Sequence, residues 1–104
     1  MTSWDVATEP FGPDHPCLAG HFPGNPIIPG TLILDRVIET LQKSNPHLTV
    51  SEVVNVKFLR PLQPDEHFTI SYRIKSNELY FDCRVGDALL SSGRLKLSRL
   101  GEQP

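Results

Sequence analysis

His21 and Asp35 are the two side chains whose types and setting suit proton transfer, and Gly30-Thr31 lies between them in the chain. Prolines at 23, 26 and 29 follow His21, fixing three φ angles and removing three amide donors, so the backbone that carries the imidazole is stiff before any substrate arrives. A preorganised imidazole can take or give a proton near neutral pH. Pro29-Gly30 lets a ligand approach the main chain closely where a helix is predicted to begin, and the unsatisfied N–H groups of that first turn can polarise a carbonyl. That is an oxyanion-type site. Asp35 falls between Leu32, Leu34 and Ile38 in an apolar helix turn, where a carboxylate needs a partner or a task. Taken alone, Asp35 fits equally a helix residue that faces solvent.

The remaining candidates receive ordinary roles. His15, His47 and His67 read as surface or structural histidines. His15, Cys17 and His21 match no zinc spacing, so neither a metal nor any other cofactor is expected. Cys17 reads as a small apolar filler, since no base or cation is placed beside it. With Cys83 it makes two cysteines, too few for a disulfide framework, which favours a reducing cytoplasm.

The elements that must hold these residues follow from pattern. Six of the ten prolines and four of the seven glycines lie within residues 10–30, a shaped loop that also carries Phe11, Leu18, Phe22, Ile27 and Ile28 and is therefore expected to be packed and rigid. From Thr31 to Ser44 the spacing Leu34, Val37, Ile38, Leu41 predicts a helix, stopped by Asn45-Pro46. Period-two alternation predicts strands at Val54–Phe58, Phe68–Ile74 and Leu79–Val85, with a less regular one from Leu89 to Leu97 and an edge strand around Trp4–Thr8. Ser76-Asn77 and Gly86-Asp87 are two-residue hairpin connections, so the last three strands form an antiparallel meander. The fold class is α+β: one long helix against about five antiparallel strands.

The length of 104 residues predicts a single domain spanning 1–104 with a modest core, for which a second copy would supply useful burial. A net charge of −2, with no Lys or Arg before residue 36, argues against nucleic acid. No secretory or membrane-spanning segment is expected.

The string Gly20-His21-Phe22-Pro23-Gly24-Asn25-Pro26-Ile27-Ile28-Pro29-Gly30 resembles the GHFPGxPxxPG motif of the hot-dog-fold β-hydroxyacyl-acyl-carrier-protein dehydratases, the FabZ and FabA families. Lys57-Phe58-Leu59-Arg60-Pro61 is similar to their FxRPVxPGD segment, and the similarity covers roughly residues 12–98. The resemblance implies a hot-dog fold, an antiparallel sheet wrapped on one central helix, with two subunits paired edge to edge. It implies His21 and Asp35 as catalytic residues, contributed to one site by different subunits, and the backbone N–H groups at Gly30 and Thr31 as ligands of the thioester carbonyl. Asp at 35 is the FabA choice where FabZ has Glu. The implied reaction is dehydration of a 3-hydroxyacyl thioester, borne on the phosphopantetheine of an acyl carrier protein, to the trans-2-enoyl thioester.

Homodimers or larger assemblies of dimers are expected, and Lys57, Arg60, Arg94, Lys96 and Arg99 are the candidate contacts for an acidic carrier. The chain is most similar to the short FabZ-like proteins of polyketide-type and aryl polyene gene sets. Arg36 departs from the family pattern and is expected to pair with an acid or to narrow the acyl tunnel. The alternatives are a hot-dog acyl thioesterase and a non-catalytic acyl-binding or heterodimer-forming subunit.

Overall fold

The computed structural model describes residues 3–11 and 28–100. His21 lies outside the described residues, as do His15 and Cys17. Six elements follow in order: β1 Ser3–Ala7, α1 Gly30–Ser44, β2 Leu48–Phe58, β3 Thr69–Lys75, β4 Glu78–Val85 and β5 Ala88–Arg99. The strands make one antiparallel sheet in the order β1-β3-β4-β5-β2, and α1 packs across it. This is the helix-on-sheet arrangement expected of a hot-dog fold.

The meander β3-β4-β5 turns as its sequence demands. Gly86 (φ +57°) and Ser76 (φ +56°) each open a two-residue connection in the left-handed region, where Gly is at ease and Ser is held by the flanking ladder. Alternation then sends Ile70 and Tyr72, Leu79, Phe81 and Cys83, and Leu95 and Leu97 inward, all at most 5% exposed. Ile33, Val37 and Leu41 of α1 close the core over them.

Two elements differ from expectation. Strand β2 begins at Leu48, not Val54, because register shifts at Val50/Glu52 and Val53/Asn55 break the period of two along its first half. A further shift at Cys83/Arg84 accounts for the irregular start of β5. The buried stripe of α1 is Ile33, Val37, Thr40 and Leu41, whereas Leu34 and Ile38 lie at its margin, half-buried. The predicted stripe is thus rotated by part of a turn.

Among the described residues Arg36 pairs with no carboxylate, and it is not part of the lining of the groove described below. Its Nη1 donates to the Glu9 carbonyl at 2.7 Å and its guanidinium lies 4.3 Å from the centre of the Phe11 ring, tying the helix to the segment after β1. Among the described residues no helix is long and apolar enough to cross a membrane, and no cluster of His, Cys, Asp and Glu could hold a metal.

Cys83 is fully buried, and desolvation pushes its thiol up from an ordinary value of 9.0 to about 11, with the Ser91 hydroxyl beside it drawing it part of the way back. Between pH 9 and 11 the folded state therefore holds a proton that the unfolded chain releases, so this contribution to stability is intact below pH 9 and lost as pH rises through 11. Alkylation mapped by peptide mass should leave Cys83 unlabelled at pH 8 in native protein and label it fully in denaturant. Rapid native labelling would contradict the burial.

Candidate active site

The first turn of α1 is set by its neighbours on both sides. Ile28 pairs with Leu62 through an N–H···O bond of 2.8 Å, and both side chains are at most 3% exposed, so the chain enters the helix from a fixed point. Pro29 (φ −58°, ψ 141°) precedes the helix and supplies no side-chain cap. Its carbonyl accepts the N–H of Leu32 at 3.0 Å, and among the described residues the N–H groups of Gly30 and Thr31 have no acceptor. No acidic residue stands in the first turn to neutralise the positive end of the helix dipole. The site is thus electrostatically prepared for a developing oxyanion.

The helix entry borders a groove of about 430 Å³ lined by Ile28, Pro29, Gly30 and Thr31 on that side, and by Phe58 at the end of β2 with Leu59 and Arg60 just beyond it. Its far wall is anchored. The N–H groups of Leu59 and Arg60 both donate to the Leu90 carbonyl, at 2.7 and 3.3 Å. Arg60 pairs with Glu66 at 3.1 Å, and Glu66 also accepts the Gln63 N–H at 2.8 Å. That backbone hydrogen bond, with Arg60 behind it, holds the Glu66 carboxyl below its usual range. Gly30 is closely approached: a Cβ there would lie 2.6–2.9 Å from the Phe58 ring, which would have to move.

Asp35 sits on α1 four residues past Thr31 and is exposed. It stands two residues from both Ile33 and Val37, roughly 160° around the helix from the buried stripe. In one chain the carboxylate is therefore not enclosed by apolar neighbours, and it faces away from its own sheet. Whatever gives it a closed environment comes from outside the described residues of this chain.

Of the five cations expected to meet a carrier, Arg60 borders the groove. Lys57, Arg94 and Lys96 stand on the outward face of the sheet, where Arg94 lies 3.1 Å from Glu78 and Lys96 3.5 Å from Glu52. Arg99 pairs with Leu48 at the opposite end of β2, about 30 Å along the strand from Phe58. Phe58 is the groove residue that sequence reasoning passed over, although it stands inside the quoted Lys57–Pro61 segment. An apolar residue closing an alternating strand reads as core, yet this one is 51% exposed.

Comparison with known proteins agrees with this geometry. The chain superposes on the dehydratase heterocomplex ApeI:P from Xenorhabdus doucetiae with a TM-score of 0.82 at 27% identity, over 93% of this chain and 88% of that one. A probable thioesterase from Bartonella henselae superposes with a TM-score of 0.68 at 17% identity over 98% of this chain and 93% of that one, a likeness of fold. The 3-hydroxyacyl-[acyl-carrier-protein] dehydratase FabZ of Haemophilus influenzae (strain PittEE) is 29% identical over 80 residues, 68% of this chain and 54% of the relative. The matched region thus spans about half the length of that curated relative. The family model described as ApeI dehydratase matches residues 2–94, which is nearly the whole chain, and the protein belongs to the ApeI-like dehydratase family.

Proposed function

We propose that this chain, as one domain spanning residues 1–104, dehydrates a 3-hydroxyacyl thioester carried by an acyl carrier protein to the trans-2-enoyl thioester. What carries this reading is the helix N-terminus at Gly30, without a cap among the described residues and bordering an apolar groove directly after the motif that contains His21. The thioester carbonyl accepts the Gly30 and Thr31 N–H groups, which lowers the cost of forming an enolate at C2. His21 takes the C2 proton, and the electron pair moves onto the carbonyl oxygen. As that pair returns to form the C2–C3 double bond, the C3–O bond breaks and a proton passes by way of Asp35 to the leaving hydroxyl. One water leaves, and proton exchange with solvent resets His21 and Asp35. Lys57, Arg60, Arg94, Lys96 and Arg99 remain candidate carrier contacts, Arg60 foremost because it borders the groove.

The same reading makes the enzyme a cytoplasmic homodimer joined along β2. This strand is an outer strand of the sheet, eleven residues long, and Val53 within it is 46% exposed. A long unpaired edge of this kind calls for a partner strand. A second copy laid there would enclose the helix face that carries Asp35. Val53→Glu is expected to weaken dimerisation at least tenfold by light scattering, leave the circular dichroism unchanged, and lower turnover in proportion to dimer lost. Full activity from a monomer would refute the shared site.

Deuterium exchange tests the first chemical step. With wild type in deuterated buffer, the C2 hydrogens of the substrate should exchange with solvent, as read by NMR, and with His21→Ala they should not. Release of free acid would instead identify a thioesterase.

A further inference from the structure

The geometry points to Phe58 as the aromatic wall of the thioester slot, the residue that sets how the acyl group lies against the Gly30 amide. This inference rests on the dehydratase reading for the identity of its ligand. Three observations carry it. The ring stands over the α-carbon of Gly30, so close that a methyl group there would meet three of its atoms within 2.9 Å. Its backbone is fixed, because the next two amides share the Leu90 carbonyl and Leu62, four residues on, is fully buried and bridged to Ile28. Yet the residue is half exposed, and it borders the same groove as Gly30 and Thr31, whose amides have no acceptor among the described residues.

A half-exposed aromatic side chain on a fixed stretch of backbone in a groove is a surface awaiting an apolar ligand. One face of the ring covers Gly30, and the exposed part takes the thioester and the first carbons of the acyl chain. The ring thereby does two things. It excludes water from the carbonyl that the helix terminus polarises, which strengthens those hydrogen bonds. It also limits the directions in which the acyl chain can leave the carbonyl, so that C2 meets the base in one orientation. Leu59, 56% exposed in the same groove, extends the apolar surface outward.

The test compares wild type, Phe58→Ala and Phe58→Leu in two assays on the full chain, with light scattering on each variant because Phe58 closes the β2 edge. In turnover, Phe58→Ala should lower kcat by about 10- to 100-fold, since displacement by about an ångström has that scale of effect, and Phe58→Leu should recover much of it. In binding, a pantetheine amide analogue of the substrate should move the Gly30 amide resonance of wild type, and Phe58→Ala should bind it at least tenfold more weakly. Wild type that binds the analogue at Gly30 through Phe58 but makes no enoyl product would sustain this inference and overturn the dehydratase reading. Equal turnover and equal binding in Phe58→Ala would overturn the inference, as would a loss that merely tracks dissociation of the dimer or an analogue that never perturbs Gly30.

Discussion

His21→Ala is expected to lower the rate of dehydration by about 10²- to 10⁴-fold, the usual contribution of a positioned general base, without lowering the melting temperature by more than a few degrees. The substitution leaves the prolines at 23, 26 and 29 in place. The loss should fall on kcat, since the imidazole acts in the transition state and contributes little to holding the acyl chain. Steady-state kinetics on a carrier-bound 3-hydroxyacyl substrate reads this directly. A variant that retains wild-type turnover would remove the base from the mechanism.

Gly30→Ala carries the second large effect. The new methyl would lie 2.6–2.9 Å from the distal ring atoms of Phe58, a distance that real contacts do not tolerate. Those atoms belong to a half-exposed side chain, so the ring can swing away and the fold survives. Ala also suits a helix better than Gly, so the melting temperature should stay within a few degrees of wild type. The displaced ring then occupies the groove, and kcat should fall by about 10²-fold, the scale seen when one oxyanion donor is lost. Adding Phe58→Ala removes the collision, so the double variant should be no worse than the poorer single one. Such non-additivity in kcat/KM is the signature of two residues in contact. Strict additivity of the two losses would mean that the ring and the glycine do not act on the same ligand.

Much of this molecule is legible in its sequence, for identifiable reasons. The meander β3-β4-β5 is read correctly because Gly86-Asp87 and Ser76-Asn77 sit between strands whose alternation is regular. The helix is read within a residue, since Pro29-Gly30 and Asn45-Pro46 bracket it. What fails is whatever depends on register. The two shifts in β2 hide its first six residues from a period-two reading, because each extra residue exchanges the inward and outward faces. The rotation of the helix stripe toward Ile33 and Thr40 is set by the sheet it lies on, and a sequence of consecutive apolar residues from Leu32 to Leu34 fits several rotations.

The site divides in the same way. Gly30 and Thr31 can be placed at a helix start by local chemistry, because Pro29-Gly30 ends the proline-rich stretch and an apolar helical pattern follows. Asp35 illustrates the converse, since its apolar sequence neighbours lie beside it along the chain but on other faces of the helix. Its environment is not set by that segment, in which it stands exposed. Phe58 is invisible for a related reason: nothing in a strand's last residue says whether its ring meets core or groove until the helix entry is seen beneath it. The basic residues scatter because sequence proximity in a sheet says little about position, as the separation of Lys57 from Arg99 along β2 makes plain.

The central claim, that a helix N-terminus at Gly30 and a base at His21 together remove water from a 3-hydroxyacyl thioester, is tested most directly by intact-mass spectrometry. Purified wild type, His21→Ala and Asp35→Ala would each be incubated with carrier protein bearing 3-hydroxyacyl groups of several lengths. Wild type should convert at least one of them to a carrier lighter by one water, with neither variant doing so at a comparable rate. Bare carrier with free acid, or substrate of unchanged mass at every chain length, would contradict it.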